Sequence, residues 1–295
     1  LENNLDPRTR GSGQEARHIL SISGGKDSSA LAIYMKDRET WRQRLGKASA
    51  ERADSIEMEY VFCDTKEELR ETYDYLDILE AFLGKGIVRL ADDRGFQHWL
   101  QVYGNYLPSP NMRWCTRMLK LKPFEEYVGD DLVFSYVGIR ADENRDGYIS
   151  KKPNIIPVFP FKEDGITKDD VIRILNESGA SLPKYYEWRT RSGCYFCFFQ
   201  RKAEWVGLME HHPDLFEEAK RYEKVNKETG ERYTWSQGES LEELSQPERV
   251  REIKANHEKL VRIERTSRPN RPLVEVLADV LDDEEDEQGC TICHL

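Results

Sequence analysis

The ten residues Ser21-Ile22-Ser23-Gly24-Gly25-Lys26-Asp27-Ser28-Ser29-Ala30 constrain this chain more than any other stretch. They follow His18-Ile19-Leu20, an apolar run that reads as the first strand. They precede Leu31-Ala32-Ile33-Tyr34-Met35, which reads as a helix. Strand, glycine pair and helix start form a layout for holding phosphate. Gly24 and Gly25 let the backbone bend without a Cβ clash. N–H groups at the helix N-terminus then face the anion. Lys26 adds a point charge, and Ser23 and Ser28 add hydroxyls. The spacing differs from that of the common phosphate loop, G-x-x-x-x-G-K-[ST]. A glycine turn closed by the helix-capping residues Asp27 and Ser28 is the simpler alternative.

Further along, apolar runs and helical patterns alternate. Ile56–Phe62, Ile87–Leu90, Leu132–Val137 and Ile155–Val158 read as strands, the last at a sheet edge because of Pro157. Helices are expected over Lys66–Phe82, over Arg113–Tyr127 with a break at Pro123, and over Thr167–Glu177 with Thr167 as cap. This alternation predicts an α/β fold, a parallel sheet with helices on both faces. Ligands in such sheets sit at the carboxyl ends of the strands, where the glycine pair lies. After Cys197 the pattern turns helical, over Lys202–Tyr222 and Leu241–Glu264, with no strand evident. Pro213 should end a helix behind His211-His212. The expected organisation is a disordered arm over 1–17, a catalytic domain over 18–205, a helical extension over 206–272 and an acidic tail over 273–295.

At 295 residues the chain can bury a large core. It has no run of 18 apolar residues, so no membrane partner is expected. The polar start lacks the apolar core of a signal peptide. Six cysteines in a chain of this length suggest metal or redox chemistry in a reducing cytoplasm, not a disulfide scaffold. The net charge of −11 argues against solitary nucleic-acid binding, but it is uneven. Asp279, Asp282, Asp283, Glu284, Glu285, Asp286 and Glu287 form an acidic run. Upstream, Arg249, Arg251, Lys254, Lys259, Arg262, Arg265, Arg268 and Arg271 offer either a phosphate-binding face or a solvated helix face.

Three further segments bear on chemistry. Cys63-Asp64-Thr65 ends the second strand, with Glu71-Thr72 beyond it. Gly138-Ile139-Arg140 ends the fourth, and the planar fork of Arg140 suits a phosphate. Arg113-Trp114-Cys115-Thr116 and Gly193-Cys194-Tyr195-Phe196-Cys197 hold thiols 79 positions apart, counted from Cys115 to Cys194. These motifs resemble the sulfonucleotide reductase-like branch of the pyrophosphatase-loop superfamily, whose loop reads S-G-G-K-D-S. The resemblance covers Arg17 to about Trp205. Within that branch, R-W-C-T-x-x-L-K and G-C-x-x-C look most like the DNA phosphorothioation sulfurtransferases. Lys66 and Arg70 stand where the family segment D-T-G-x-x-x-P-E-T has glycine and proline, and Trp114 replaces one cysteine of a pair.

The resemblance implies cleavage of ATP between its α- and β-phosphates. Ser23, Gly24, Gly25, Lys26, Asp27, Ser28, Asp64, Gly138 and Arg140 would bind ATP with Mg²⁺, and Lys26, Asp27 and Arg140 would act in catalysis. Cys115, Cys194 and Cys197 would hold a [4Fe–4S] cluster, with structural zinc or a metal-free pair as alternatives. Cys290-Thr291-Ile292-Cys293-His294 echoes the mobile tail of the reductases, where Cys293 would carry sulfur or attack substrate. A cysteine desulfurase as sulfur donor and DNA gripped with partner proteins are the implied partners. The implied activity is ATP-dependent thiolation of nucleic acid. Reduction of adenylylsulfate or its 3′-phospho form, and thiolation of a tRNA base, are the alternatives.

Overall fold

The computed structural model describes residues 16–48, 56–144, 152–225, 232–236 and 238–266. Cys290, Cys293, the acidic tail and most of the N-terminal arm lie outside them. Strand β1 (Arg17–Ser21) leads into helices α1 (Lys26–Lys36) and α2 (Arg38–Arg44). Then come β2 (Met58–Cys63), α3 (Arg70–Leu83), β3 (Ile87–Leu90) and α4 (Gly95–Val102). A composite helix follows: α5 (Trp114–Thr116), a π-helical turn over Arg117–Leu121, and α6 (Lys122–Val128). The π turn ends two residues before Pro123, which has no N–H to continue the α pattern. Strands β4 (Val133–Tyr136) and β5 (Ile155–Val158) complete a five-stranded, all-parallel sheet in the order β3-β2-β1-β4-β5.

Both faces of this sheet are buried, as an all-parallel sheet requires. Period-two alternation splits β1: Leu20 faces a core shared with α1, α3 and α8 (Lys168–Ser178), while Ile19 faces Phe124 and Val128 of α6. Short α7 (Pro160–Glu163) precedes α8, whose first turn is closed as expected by Asp170 accepting from the Thr167 N–H at 3.0 Å. The strand order reverses between β1 and β4, the kind of switch point at which open parallel sheets bind ligands.

The C-terminal part contains α9 (Lys202–His211), α10 (Pro213–Tyr222), a hairpin of β6 (Lys224–Val225) with β7 (Arg232–Tyr233), α11 (Leu241–Leu244) and α12 (Pro247–Thr266). The hairpin differs from the strand-free expectation; strands of two residues are too short to show an alternating pattern. Pro213 does break α9 from α10. One apolar core runs through this region and across residue 205. It joins Leu69, Phe96 and Trp114 to Tyr195, Phe196, Trp205, Trp235, Leu241 and Ile253. Phe196 stacks on Trp235 with centroids 5.0 Å apart, so the C-x-x-C turn and the later helices share their packing.

Candidate active site

Gly24 has φ +72°, a conformation that favours glycine, and a Cβ there would meet the Thr72 methyl at 2.7 Å. A Cβ on Gly25 would meet Ser192 Oγ at 2.7 Å. The loop is therefore pressed between the start of α3 and the residue before Gly193-Cys194. Gly138 is equally close, since a Cβ there would lie 3.0 Å from the Asp27 carbonyl oxygen. Four segments distant in sequence thus meet with no room for a side chain between them.

Side chains complete the cradle. Ser28 Oγ accepts from the Ser23 N–H at 3.0 Å and donates to the Gly25 carbonyl at 3.2 Å. Ser23 Oγ accepts from the Gly25 N–H at 3.3 Å and from Ser192 Oγ at 3.1 Å. The hydroxyls expected to meet phosphate therefore also brace the loop itself. The Lys26 N–H donates to Tyr186 Oη at 2.9 Å, and Tyr185 Oη donates to the Gly24 carbonyl at 2.7 Å. Both tyrosines lie on a 3₁₀ turn over Lys184–Glu187. Burial pushes both phenols up, so they remain neutral donors and acceptors.

Asp27 is the electrostatic centre. It is 5% exposed. Its Oδ2 accepts from Lys26 Nζ at 2.7 Å and its Oδ1 from Arg140 Nη1 at 2.8 Å. Arg140 also pairs with Asp142 and Glu143. Two cations thus converge on one carboxylate at the switch point. Asp64 stands at the end of β2, where its Oδ1 accepts from the Lys66 N–H and from Tyr73 Oη, both at 2.8 Å. It closes a turn instead of capping α3, which begins only at Arg70. Lys66 has φ +64°, so the left-handed turn persists without a glycine.

The thiols divide by environment. Cys63 is buried, donates to the Lys120 carbonyl at 3.6 Å, and is pushed up to about 12 by burial. Cys194 lies 3.2 Å from Thr65 Oγ1 and 3.8 Å from Glu68 Oε1. Burial, then the Glu68 carboxylate, pushes its thiol well up. Cys115 and Cys194 both pack against the core that holds Trp114 and Phe196. Among the described residues, no three His, Cys, Asp or Glu side chains are arranged to hold a metal ion.

Sequence reasoning missed the residues that position this turn. Arg189, 2% exposed, donates to the carbonyls of Gly193 and Cys194, both at 2.9 Å. Glu204, equally buried, accepts from the Thr190 N–H and hydroxyl at 2.7 and 2.6 Å. Burial raises its pKa, but Arg189 and these hydrogen bonds hold it below the usual range. Only the proximity of Arg189 to the C-x-x-C was a signal. Tyr185, Tyr186 and Ser192 carried none. His212 Nε2 lies 2.8 Å from Glu71 Oε1 and so ties the break between α9 and α10 to the first turn of α3.

Glu67 gives the site a pH signature. Burial, then Glu218, Glu68 and Asp64, raise its carboxyl from 4.5 to about 7. The folded state then binds a proton that the unfolded state has lost. Stability should fall as pH rises from about 4.5 to about 7 and level off above. Glu67→Gln should flatten that slope in urea titrations across the window. An unchanged slope would assign it to another group.

The phosphoadenosine phosphosulfate reductase domain family matches residues 17–198. The chain belongs to this family. The family is enzymatic. Among curated relatives, an uncharacterized Methanocaldococcus jannaschii protein is 28% identical over 233 residues, 75% of this chain and 43% of the relative. A second from the same organism is 26% identical over 213 residues, 66% of this chain and 45% of the relative. The chain therefore spans less than half the length of both. An uncharacterized Escherichia phage 186 protein is 24% identical over 274 residues, 70% of this chain and 75% of its own. Solved structures with similarity include phosphoadenylyl-sulfate reductase from Candida auris in a phosphate complex. It is 12% identical, with TM-score 0.44, over 62% of this chain and 83% of that one. Another is the U34-tRNA thiolase NcsA from Methanococcus maripaludis with its [4Fe-4S] cluster. It is 13% identical, with TM-score 0.35, over 71% and 72%. No helix among the described residues is long and apolar enough to cross a membrane.

Proposed function

We propose that this family member is an ATP-dependent sulfurtransferase that adenylates and then thiolates a nucleic acid, with the DNA backbone as the acceptor. One observation carries the reading. Lys26 and Arg140 converge on Asp27 above a glycine loop with no room for side chains, at the sheet's switch point. An acceptor oxygen would attack the α-phosphorus of ATP. A P–O bond forms, the α–β anhydride breaks, and pyrophosphate leaves with the electron pair. Lys26 and Arg140 would stabilise charge building on the departing pyrophosphate. A sulfur nucleophile would next attack the activated centre, and AMP would leave with the original oxygen. Mg²⁺ would supply further charge neutralisation when bound with ATP. A cysteine desulfurase would supply the sulfur as a persulfide: its outer sulfur would bond to the activated centre, and a thiol reductant would then cleave the S–S bond, leaving sulfur on the acceptor and a disulfide as the oxidised product. Partner proteins would help to grip an acceptor that a chain of net charge −11 binds poorly alone.

The matched family's description favours a second reading, reduction of a sulfonucleotide. The two separate cleanly. Host DNA should contain phosphorothioate linkages when the protein and its partners are present, measured by mass spectrometry of nuclease digests, and lose them with Lys26→Ala. If the purified protein alone released sulfite from adenylylsulfate with a thiol reductant, the second reading would replace the first.

A further inference from the structure

The phosphate loop does not use the charged surface at the cysteine edge. There Phe199 holds two guanidinium groups from separate segments, Arg113 at 5.0 Å and Arg191 at 5.3 Å from its ring centroid. Phe199 is itself buried and packs on Phe198 with centroids 4.3 Å apart. A guanidinium resting on a ring is pre-positioned, and Arg113 is fixed further by its Nε donating to the Pro110 carbonyl at 3.0 Å. Arg117, one helical turn beyond Arg113, is exposed, and so is Arg201. Arg117, Arg191 and Arg201 have no carboxylate within ion-pair distance among the described residues.

Apolar surface lies beside these cations. Tyr106 is 46% exposed and Met112 41%. Trp114 Nε1 donates to the Tyr106 carbonyl at 3.1 Å, which fixes Tyr106 next to α5. Met112 directly precedes Arg113. Cys115 and Cys197 are close in sequence to Arg113 and Phe199.

The basic stretch on α12 is built differently. Arg249 pairs with Glu239 and Glu252, Arg251 with Glu248, and Lys254 with Glu210. Those three cations already have carboxylate partners among the described residues.

We propose that this edge docks a single-stranded nucleic acid, with Arg113, Arg117, Arg191 and Arg201 on phosphates and Tyr106 and Met112 against bases. It rests on the reading above in which the acceptor is nucleic acid, and it assigns that acceptor's path. Arginine with exposed aromatic surface suits unstacked bases better than a closed duplex. Docking here brings the strand beside the thiols.

The test is fluorescence anisotropy of the full chain, without ATP, on labelled 20-nucleotide oligo-dT, oligo-U and a duplex of equal length. Arg117→Gln/Arg191→Gln should weaken single-strand binding about tenfold at 0.1 M salt and reduce the salt slope by about 1.4, two phosphate contacts' worth. Tyr106→Ala should weaken binding with the slope unchanged. Arg251→Gln/Lys254→Gln should bind like the parent. Oligo-dT and oligo-U distinguish DNA from RNA as the source. Lys26→Ala should bind oligonucleotide normally while losing pyrophosphate release, so failure of either reading is seen separately. Equal binding by the Arg117/Arg191 variant and the parent would overturn the proposal. So would loss confined to the α12 variant, or tighter binding of the duplex.

Discussion

Lys26→Ala is expected to lower pyrophosphate release from ATP by about 10²–10³-fold, the usual cost of removing one group that meets developing charge. The side chain is 17% exposed and its ammonium lies 2.7 Å from Asp27. Removing it leaves Asp27 paired with Arg140 at 2.8 Å, so the buried carboxylate keeps a cation and the fold is expected to hold. The drop should therefore appear with an unchanged thermal midpoint. Lys26→Arg should recover part of the rate, because charge is restored while the fork reaches differently. A coupled pyrophosphate assay with the acceptor present reads all three proteins. Equal release from the parent and Lys26→Ala would remove the loop from the chemistry.

The largest expected effect on stability belongs to Arg189→Met, at about 3–5 kcal/mol, the scale for stranding a buried charge. Two carbonyls of the C-x-x-C turn lose their donors, and Glu204 loses the cation that offsets its burial. Urea denaturation measures the loss. Arg189→Met/Glu204→Gln should be less destabilised than the sum of its single changes, because the stranded charge is gone. Simple additivity would mean that Arg189 and Glu204 act independently. The effect should spread to the C-terminal helices, since Phe196 and Trp235 pack in one core.

What sequence reasoning reached was local in origin. The SGGKDS loop, the four strands after it and the cap at Thr167 are written in adjacent residues, because turn chemistry and period-two burial act over a few positions. The α/β class followed from that alternation. Boundaries were less legible: α3 starts at Arg70 because Asp64 and the left-handed Lys66 make a turn first. Helices α2 and α4 are short amphipathic pieces that went unread.

Tertiary structure alone decided which distant groups meet. Asp27 and Arg140 are 113 positions apart, and Tyr186 lies 160 from the Lys26 N–H that it accepts. No local pattern encodes such pairs; they follow from the strand order that sets β1 beside β4. Trp235 and Ile253 lie far from the C-x-x-C in sequence, yet they belong to the core under it. Charge depends on folding in the same way. The basic run on α12 is visible in sequence, but its neutralising partners Glu210 and Glu239 come from other segments and only folding brings them into range. Residue types and short spacings determine what chemistry this chain can attempt. The long-range packing of glycine loop, arginine and thiol turn decides where it can be done, because ion pairs and close contacts depend on distances in space, which sequence separation does not record.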